Sequence, residues 1–371
     1  MTTSRTLSIL SIAYPFAPVR SDTVGGAEQI LARLDRALVD AGHHSIVIAV
    51  EGSSVQGHLV ASPAVDGIID AATRARACSN IKAAMGEVLA RDRVDLVHLH
   101  GLDFFEYLPP PGLPVLVTLH LPLQLYPAAA LRPARAGTWL VPVSASQARA
   151  RAELPLLPPI ENGVDLPSAA PHARRGYALA LGRICPEKNF AAALDACRLA
   201  NCPLLLAGQA YGYPEHLSYF NREIMPRLDG SRRWIGRIAG PRKRRLLAGA
   251  RCVLIPSRIA ETSSLVAMEA LASGVPVIAY PAGALPDIVE HGRTGFLAED
   301  VPSMARAIGA ADQLDPEDCR RAARERFCAD RMVNQYLALY ERLAAAGGVS
   351  RHTRDPRASP APLPSGGAAC S

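Results

Sequence analysis

The sequence predicts an α/β architecture with two doubly wound, parallel-sheet domains, and three observations carry that prediction. The chain has 371 residues, enough for two domains with a core in each. Near its start a strand, a glycine-containing loop, a helix and a second strand follow one another as a βαβ unit. Late in the chain, residues 261–281 read ETSSLVAMEALASGVPVIAYP, a helix-forming run, a Ser-Gly stop and an apolar strand.

Residues 7–14 form the first strand. They are apolar enough to suggest a secretory leader, but the run is short, broken by serines, and followed by Pro15 and Pro18 without a small-residue cleavage site. The next helix, over residues 27–41, repeats Ile30, Leu31, Leu34, Ala37 and Leu38 at helical spacing, and Gly42 stops it. Residues 45–50 return as a strand. The loop before the helix lacks a Gly-x-Gly-x-x-Gly fingerprint. Its Gly25 and Gly26 allow either a ligand's close approach beside a helix N-terminus or a simple tight turn.

Strands over residues 94–100 and 115–120 each end in histidine, at the sheet edge where open α/β folds bind ligands. His98 and His100 face one side at period two, yet no third residue has metal-ligand spacing. A short strand follows at 141–145. Pro155, Pro158, Pro159 and the turn around Asn162-Gly163 then break regularity before a linker over 167–175.

The second half opens with a strand over 177–182 and a loop carrying Arg183 and Lys188. Two cations five residues apart across a turn can converge on the growing charge of a diphosphate leaving group. Further strand ends fall at 204–208, 233–236 and 253–256. In the 261–281 stretch the helix begins at Ser263, Ser264 and Leu265, so its unpaired amides and positive dipole end point at any bound anion. Glu261 before the helix and Glu269 within it flank that anion seat at different heights. A last helix over 331–343 places Met332, Tyr336, Leu339 and Tyr340 on one face, and from Gly347 the tail is rich in Pro, Ala, Ser and Gly, predicting disorder.

Composition narrows the function classes. A hydrophobic fraction of 49% with 20% charged residues describes an ordinary globular protein, and no apolar run approaches the roughly 18 residues a spanning helix needs. The eight cysteines are scattered without a Cys-x-x-Cys pair, which reads as reduced, cytosolic usage without a disulfide framework or zinc site. Seven cations between residues 231 and 245 exceed the whole formal excess of +6. That run reads as a solvated face or as a seat for anionic membrane; no nucleic-acid module accompanies it. No Asp-x-Asp pair occurs, so the usual carboxylate clamp for a divalent ion is missing and no metal or cofactor is expected.

Glu261, seven intervening residues and Glu269, followed by Ala-Leu-Ala-x-Gly-x-Pro-Val-Ile, resemble the donor-binding motif of the retaining glycosyltransferases of family 4, which have the GT-B fold. Gly25-Gly26-Ala27-Glu28 with Gly42-His43, the Asn162–Asp165 segment Asn-Gly-Val-Asp, the Gly-Arg…Glu-Lys loop and residues 292–297 extend the resemblance over roughly residues 8–343. The chain departs from the family at Thr262-Ser263-Ser264, where Pro-Phe-Gly is usual, so a side chain stands where glycine lets phosphate come close.

The resemblance implies two Rossmann-like domains facing a central cleft: residues 1–166 on the acceptor side, 167–328 binding a nucleotide sugar, a helix at 329–346 crossing back, and a disordered tail at 347–371. It implies metal-independent transfer of a sugar with retention. Arg183, Lys188 and the amides of Ser263, Ser264 and Leu265 would hold the diphosphate, Glu269 the ribose, Arg237 the base, and Glu261 and His120 the sugar, with Gly25 and Gly26 beside the donor. The expected partners are a UDP- or GDP-linked donor, a glycan or lipid-linked acceptor and an anionic membrane surface, in the cytoplasm or peripheral at the inner membrane face, with no nucleic acid. Loops at 104–107 and 121–126 carry aromatics that could stack on an acceptor or simply pack. A nucleotide-sugar 2-epimerase, a glycogen-synthase-like polymerase and a non-catalytic partner subunit remain as rivals.

Overall fold

The computed structural model describes residues 5–20, 23, 25–64, 69–167 and 176–350. The linker expected at 167–175, apart from Pro167, and the tail beyond Ser350 lie outside them. By packing, the described residues fall into two units, one running up to Glu161 and resuming at Met332, the other spanning Asn162–Arg331.

The first unit holds a six-stranded sheet of β1 (Ser8–Ile12), β2 (His44–Val50), β3 (His58–Ser62), β4 (Leu96–Leu99), β5 (Val115–Leu119) and β6 (Thr138–Pro142), in the order β3-β2-β1-β4-β5-β6. All its pairings are parallel, with Ile9 opposite Ser45 on one side and Leu96 on the other. Strands buried on both faces must be apolar almost throughout, and β4 and β5 are buried at every position. The helix Gly26–Asp40 covers the sheet with Ile30, Leu31, Leu34 and Leu38.

Elements of this unit not expected from sequence include β3 and the helix Ala71–Arg91. That helix buries Ala77, Cys78, Ile81, Met85 and Val88 at three- and four-residue spacing, and Asp70 caps it by accepting from the Thr73 amide at 2.8 Å. The strand expected at 141–145 starts earlier, at Thr138. Its last residues instead enter the helix Ala145–Arg149, because the Ser144 side chain accepts the Gln147 amide as an N-cap.

The second unit repeats the topology. Its strands are β7 (Ala178–Leu181), β8 (Leu204–Ala207), β9 (Arg232–Trp234), β10 (Cys252–Ile255), β11 (Val277–Ala279) and β12 (Gly295–Leu297), ordered β12-β11-β10-β7-β8-β9 and all parallel. The helix Leu265–Ala272 lies between β10 and β11 in the chain and ends where Gly274 adopts φ +75°, the left-handed conformation its missing Cβ permits. In both sheets the strand order reverses once, between β1 and β4 in the first and between β7 and β10 in the second. Loops leaving the C-terminal ends of such strands are where this architecture builds sites.

The last helix spans Ala329–Ser350 rather than stopping before Gly347, since no proline intervenes before Pro356. Cys78, Cys185, Cys197, Cys202, Cys252 and Cys319 are free and buried. Cys328 is disulfide-bonded, so the expectation of a wholly reduced set fails there.

Candidate active site

The loops that follow β7 and β10 meet at the second sheet's reversal point. After β7, the chain makes a short turn at Pro186–Lys188 and leaves through Asn189 at φ +52°. This presents Lys188, whose Nζ donates to Glu261 Oε1 at 2.5 Å. After β10, Ser257 Oγ donates to the same oxygen at 2.5 Å. Glu261 is only 9% exposed, so its charge is compensated by an ammonium and a hydroxyl. An ammonium has three donors, and the bond to Glu261 leaves two for another anion.

Glu261 is fixed through its backbone as well. It bridges Gly283, and its carbonyl accepts the Ala284 amide at 2.7 Å. Gly283 sits at φ +62°, and a Cβ there would lie 2.5 Å from the Glu261 nitrogen and closer still to its carbonyl oxygen. Gly283→Ala should therefore destabilise the protein by about 2 kcal/mol, combining left-handed strain with a backbone clash. An unchanged urea midpoint in that variant would contradict the close approach.

The helix Leu265–Ala272 starts beside Glu261. Its first intrahelical bond runs from the Met268 amide to the Ser264 carbonyl at 3.1 Å, which leaves the amides of residues 265–267 without intrahelical acceptors. Ser264 is buried and makes no side-chain cap, and the buried Ser263 Oγ has no partner. One step inside the helix, Glu269 Oε1 accepts from Lys243 Nζ at 2.6 Å, whereas Glu269 Oε2 is buried without a hydrogen-bond partner. A buried carboxylate oxygen left unpaired is costly, and a ligand hydroxyl would satisfy it.

Of the residues the sequence singled out, the structure groups Lys188 with Glu261 and sets Ser263, Ser264, Leu265 and Glu269 at the start of or within the neighbouring helix. Sequence reasoning missed Ser257, Gly283 and Lys243. Lys243 had been read with its neighbours as a solvated run; Arg242, Arg244 and Arg245 are exposed, but Lys243 turns inward. Arg183 is exposed; against the burial that raises the Glu187 carboxyl, a hydrogen bond with Cys185 and, less strongly, the Arg183 charge hold it below its usual range. Arg237 is exposed in the loop after β9.

In the first unit, the ends of β4 and β5 carry a histidine cluster. His98 uses both ring nitrogens, Nδ1 with Tyr340 Oη at 2.8 Å and Nε2 with Thr118 Oγ1 at 2.7 Å, and Thr118 also meets Tyr336 Oη at 3.0 Å. These bonds tie the last helix to the sheet and leave His98 no nitrogen for a metal. His100 Nδ1 lies 2.9 Å from His120 Nε2, and His100 Nε2 is buried without a partner. A stranded lone pair costs less than a stranded N–H, which assigns the proton to His100 Nδ1. His120 Nε2 then accepts, which puts the remaining ring proton of His120 on Nδ1. Burial pushes His120 down to about 4, and burial, reinforced by neighbouring imidazoles, holds His98 and His100 well below the usual histidine range.

Gly25 is the N-cap of the helix Gly26–Asp40, and a Cβ on it would collide with the Glu28 carboxylate. The first space made by the missing side chain is therefore filled by the protein's own Glu28. Phe104, Tyr107 and Tyr126 are buried in the first core, so these aromatics of the two loops pack rather than stack on an acceptor. A cavity of about 850 Å³ lined by Arg5, His44, His58 and Asp95 opens at the opposite, N-terminal edge of the first sheet, away from all these groups.

Comparison with known proteins decides the family. Residues 24–166 match the model described as "Glycosyltransferase Family 4", and residues 175–311 the one described as "Glycosyl transferases group 1". The chain belongs to glycosyltransferase family 4. It is 30% identical over 223 residues to D-inositol 3-phosphate glycosyltransferase of Jonesia denitrificans, a match covering 51% of this chain and 52% of that protein. The chain thus spans about half the length of that curated relative. Sucrose-phosphate synthase of Thermosynechococcus elongatus is similar at a TM-score of 0.75 and 19% identity, covering 92% of this chain and all of that one. Anabaena HepE, in complex with UDP and glucose, is similar at a TM-score of 0.68 and 20% identity, covering 90% and 99%. At these identities the likeness shows the fold alone, and that fold is GT-B.

Proposed function

We propose that the protein transfers a hexosyl group from a UDP- or GDP-linked sugar to a glycan or lipid-linked acceptor, with retention at the anomeric carbon and without a metal ion. The observation that carries this reading is the convergence of Lys188 and Ser257 on Glu261 beside a helix N-terminus whose Ser263 hydroxyl and Glu269 Oε2 both lack partners. Buried polar atoms without partners, next to a cation and open amides, fit a ligand with a diphosphate and several hydroxyls.

In this reading Arg183, Lys188 and the amides of residues 263–265 hold the diphosphate. Glu269 Oε2 accepts a ribose hydroxyl, Arg237 contacts the base, Glu261 holds a sugar hydroxyl, and His120 binds the sugar. Residues 1–166 serve the acceptor and 167–328 the donor. Metal independence is supported by the absence of an Asp-x-Asp pair in the sequence and by the cations and amides that take its place. The exposed Arg233, Arg242, Arg244 and Arg245, with Trp234 41% exposed among them, support peripheral contact with an anionic membrane at its cytoplasmic face. Among the described residues no helix is long and apolar enough to cross a membrane.

A thermal-shift panel of UDP- and GDP-sugars tests the donor, beginning with UDP because HepE binds it. One donor should raise the melting temperature, and Lys188→Ala or Arg183→Ala should weaken its binding at least tenfold. Parental affinity in both variants would overturn the phosphate assignment. Turnover lost in chelator and rescued by Mg²⁺ would overturn metal independence of the transfer, and incubation with donor alone should yield no epimerised sugar.

A further inference from the structure

A second cluster lies on the same turn as Lys188 and takes no part in the transfer reading. Cys185 is fully buried at the start of the turn, Glu187 is exposed within it, and His216 stands on the helix Pro214–Tyr219. Cys185 Sγ, a Glu187 carboxylate oxygen and a ring nitrogen of His216 all lie within 4.8 Å of one another. His216 Nδ1 is buried and has no hydrogen-bond partner, although its ring packs edge-on against Tyr213 at 4.9 Å. A histidine that keeps one buried ring nitrogen unpaired while its ring sits within ligand range of a thiol and a carboxylate makes an unfinished polar site.

We propose that Cys185, Glu187 and His216 bind a borderline-soft divalent cation of the Zn²⁺ class. A thiolate, an imidazole and a carboxylate form a ligand set that selects zinc over magnesium or calcium, which favour oxygen alone. With Zn–S about 2.3 Å and Zn–N about 2.1 Å, a tetrahedral ion needs sulfur and nitrogen about 3.6 Å apart. The side chains must therefore close by up to about 1 Å, which rotation of Glu187 and His216 can supply because neither is buried in the core. The thiol proton passes to solvent as the Zn–S bond forms, and water completes the fourth position. The cation would pin the turn carrying Lys188 to the helix Pro214–Tyr219. It takes no part in the transfer step, so this inference stands or falls independently of the proposed function.

The test uses the full chain, stripped with chelator and titrated with Co²⁺ as a spectroscopic substitute for zinc. One equivalent should produce a thiolate-to-cobalt charge-transfer band together with the intense visible bands of four-coordinate cobalt, and Zn²⁺ should displace both. Cys185→Ser should abolish the charge-transfer band, and His216→Gln should weaken cobalt binding at least tenfold, with both variants melting as the parent does. His216 is not a core residue, so its variant keeps the test meaningful if Cys185→Ser unfolds. Absence of the bands in the parent, their persistence in Cys185→Ser, or unchanged affinity in His216→Gln would overturn the assignment.

Discussion

Glu261→Ala should lower kcat/KM for the preferred donor by roughly 10²–10³-fold, the range seen when a preorganised polar group is removed from a reacting centre. The size of the effect follows from what converges on one oxygen. Lys188 Nζ and Ser257 Oγ both donate to Glu261 Oε1, so removing the carboxylate leaves a partly buried ammonium and a buried hydroxyl without their acceptor. Lys188 would then lose the contact that aims its remaining protons, and a diphosphate would meet a mobile cation instead of a fixed one. Lys188→Ala should accordingly cost much of the same activity. The double variant should lose far less than the two single losses multiplied together, because residues sharing one hydrogen-bond network are not additive. Glu261→Gln keeps the shape and an acceptor but no charge, and should fall between parent and Ala. If Glu261→Ala remains folded and retains kcat/KM within tenfold of the parent, neither Glu261's proposed sugar contact nor its hold on Lys188 matters to transfer.

How far this site could be read from sequence differs residue by residue, for physical reasons. Glu261 and Glu269 could be singled out because they frame and enter a helix whose start and stop are locally encoded, from Ser264 to Gly274. Lys188 could be singled out because it closes a turn after a strand, and the structure brings it to Glu261, whereas Arg183 on the same loop is exposed. Lys243 could not be singled out, since its partner Glu269 lies 26 residues away and only the packing of two helices turns it away from its exposed neighbours. Ser257 and Gly283 carry no local signature of their purpose: one matters as a donor to a carboxylate four residues on, the other for the backbone it lets approach. The helix Ala71–Arg91 is a different case, because its buried residues recur at helical spacing and the pattern was available. The aromatic loops show the limit of composition. Nothing in the type of Phe104 or Tyr107 distinguishes a stacking platform from a core plug, and burial assigned them to the core.

Acid should unfold the first unit before carboxylate titration accounts for it, with stability falling from about pH 6.5 towards pH 4. His98, His100 and His120 have folded pKa values depressed by burial, that of His120 to about 4, against an unfolded value near 6.5. Between those values the unfolded chain binds more protons than the folded one, so stability rises with pH in that window and is lost as pH drops through it. Each histidine contributes about 1.4 kcal/mol per pH unit, and His120 alone roughly 3 kcal/mol across its range. The geometry explains why the folded state resists protonation. The His98 and His100 rings stand 3.9 Å apart, so charging one penalises the other, and a charged His100 would bury a second N–H at Nε2 where no acceptor waits. The protein's two tryptophans allow a direct measurement: Trp139 lies in β6 of the first sheet and Trp234 in β9 of the second. In Trp234→Phe, urea midpoints followed at Trp139 should fall steadily from pH 6.5 to 4.5, and His120→Asn should flatten that slope by close to one proton. In Trp139→Phe, the midpoint followed at Trp234 should move much less over the same interval. Equal slopes at the two reporters, or a slope at Trp139 unaffected by His120→Asn, would mean that these histidines are already protonated at neutral pH or that their burial carries no linkage.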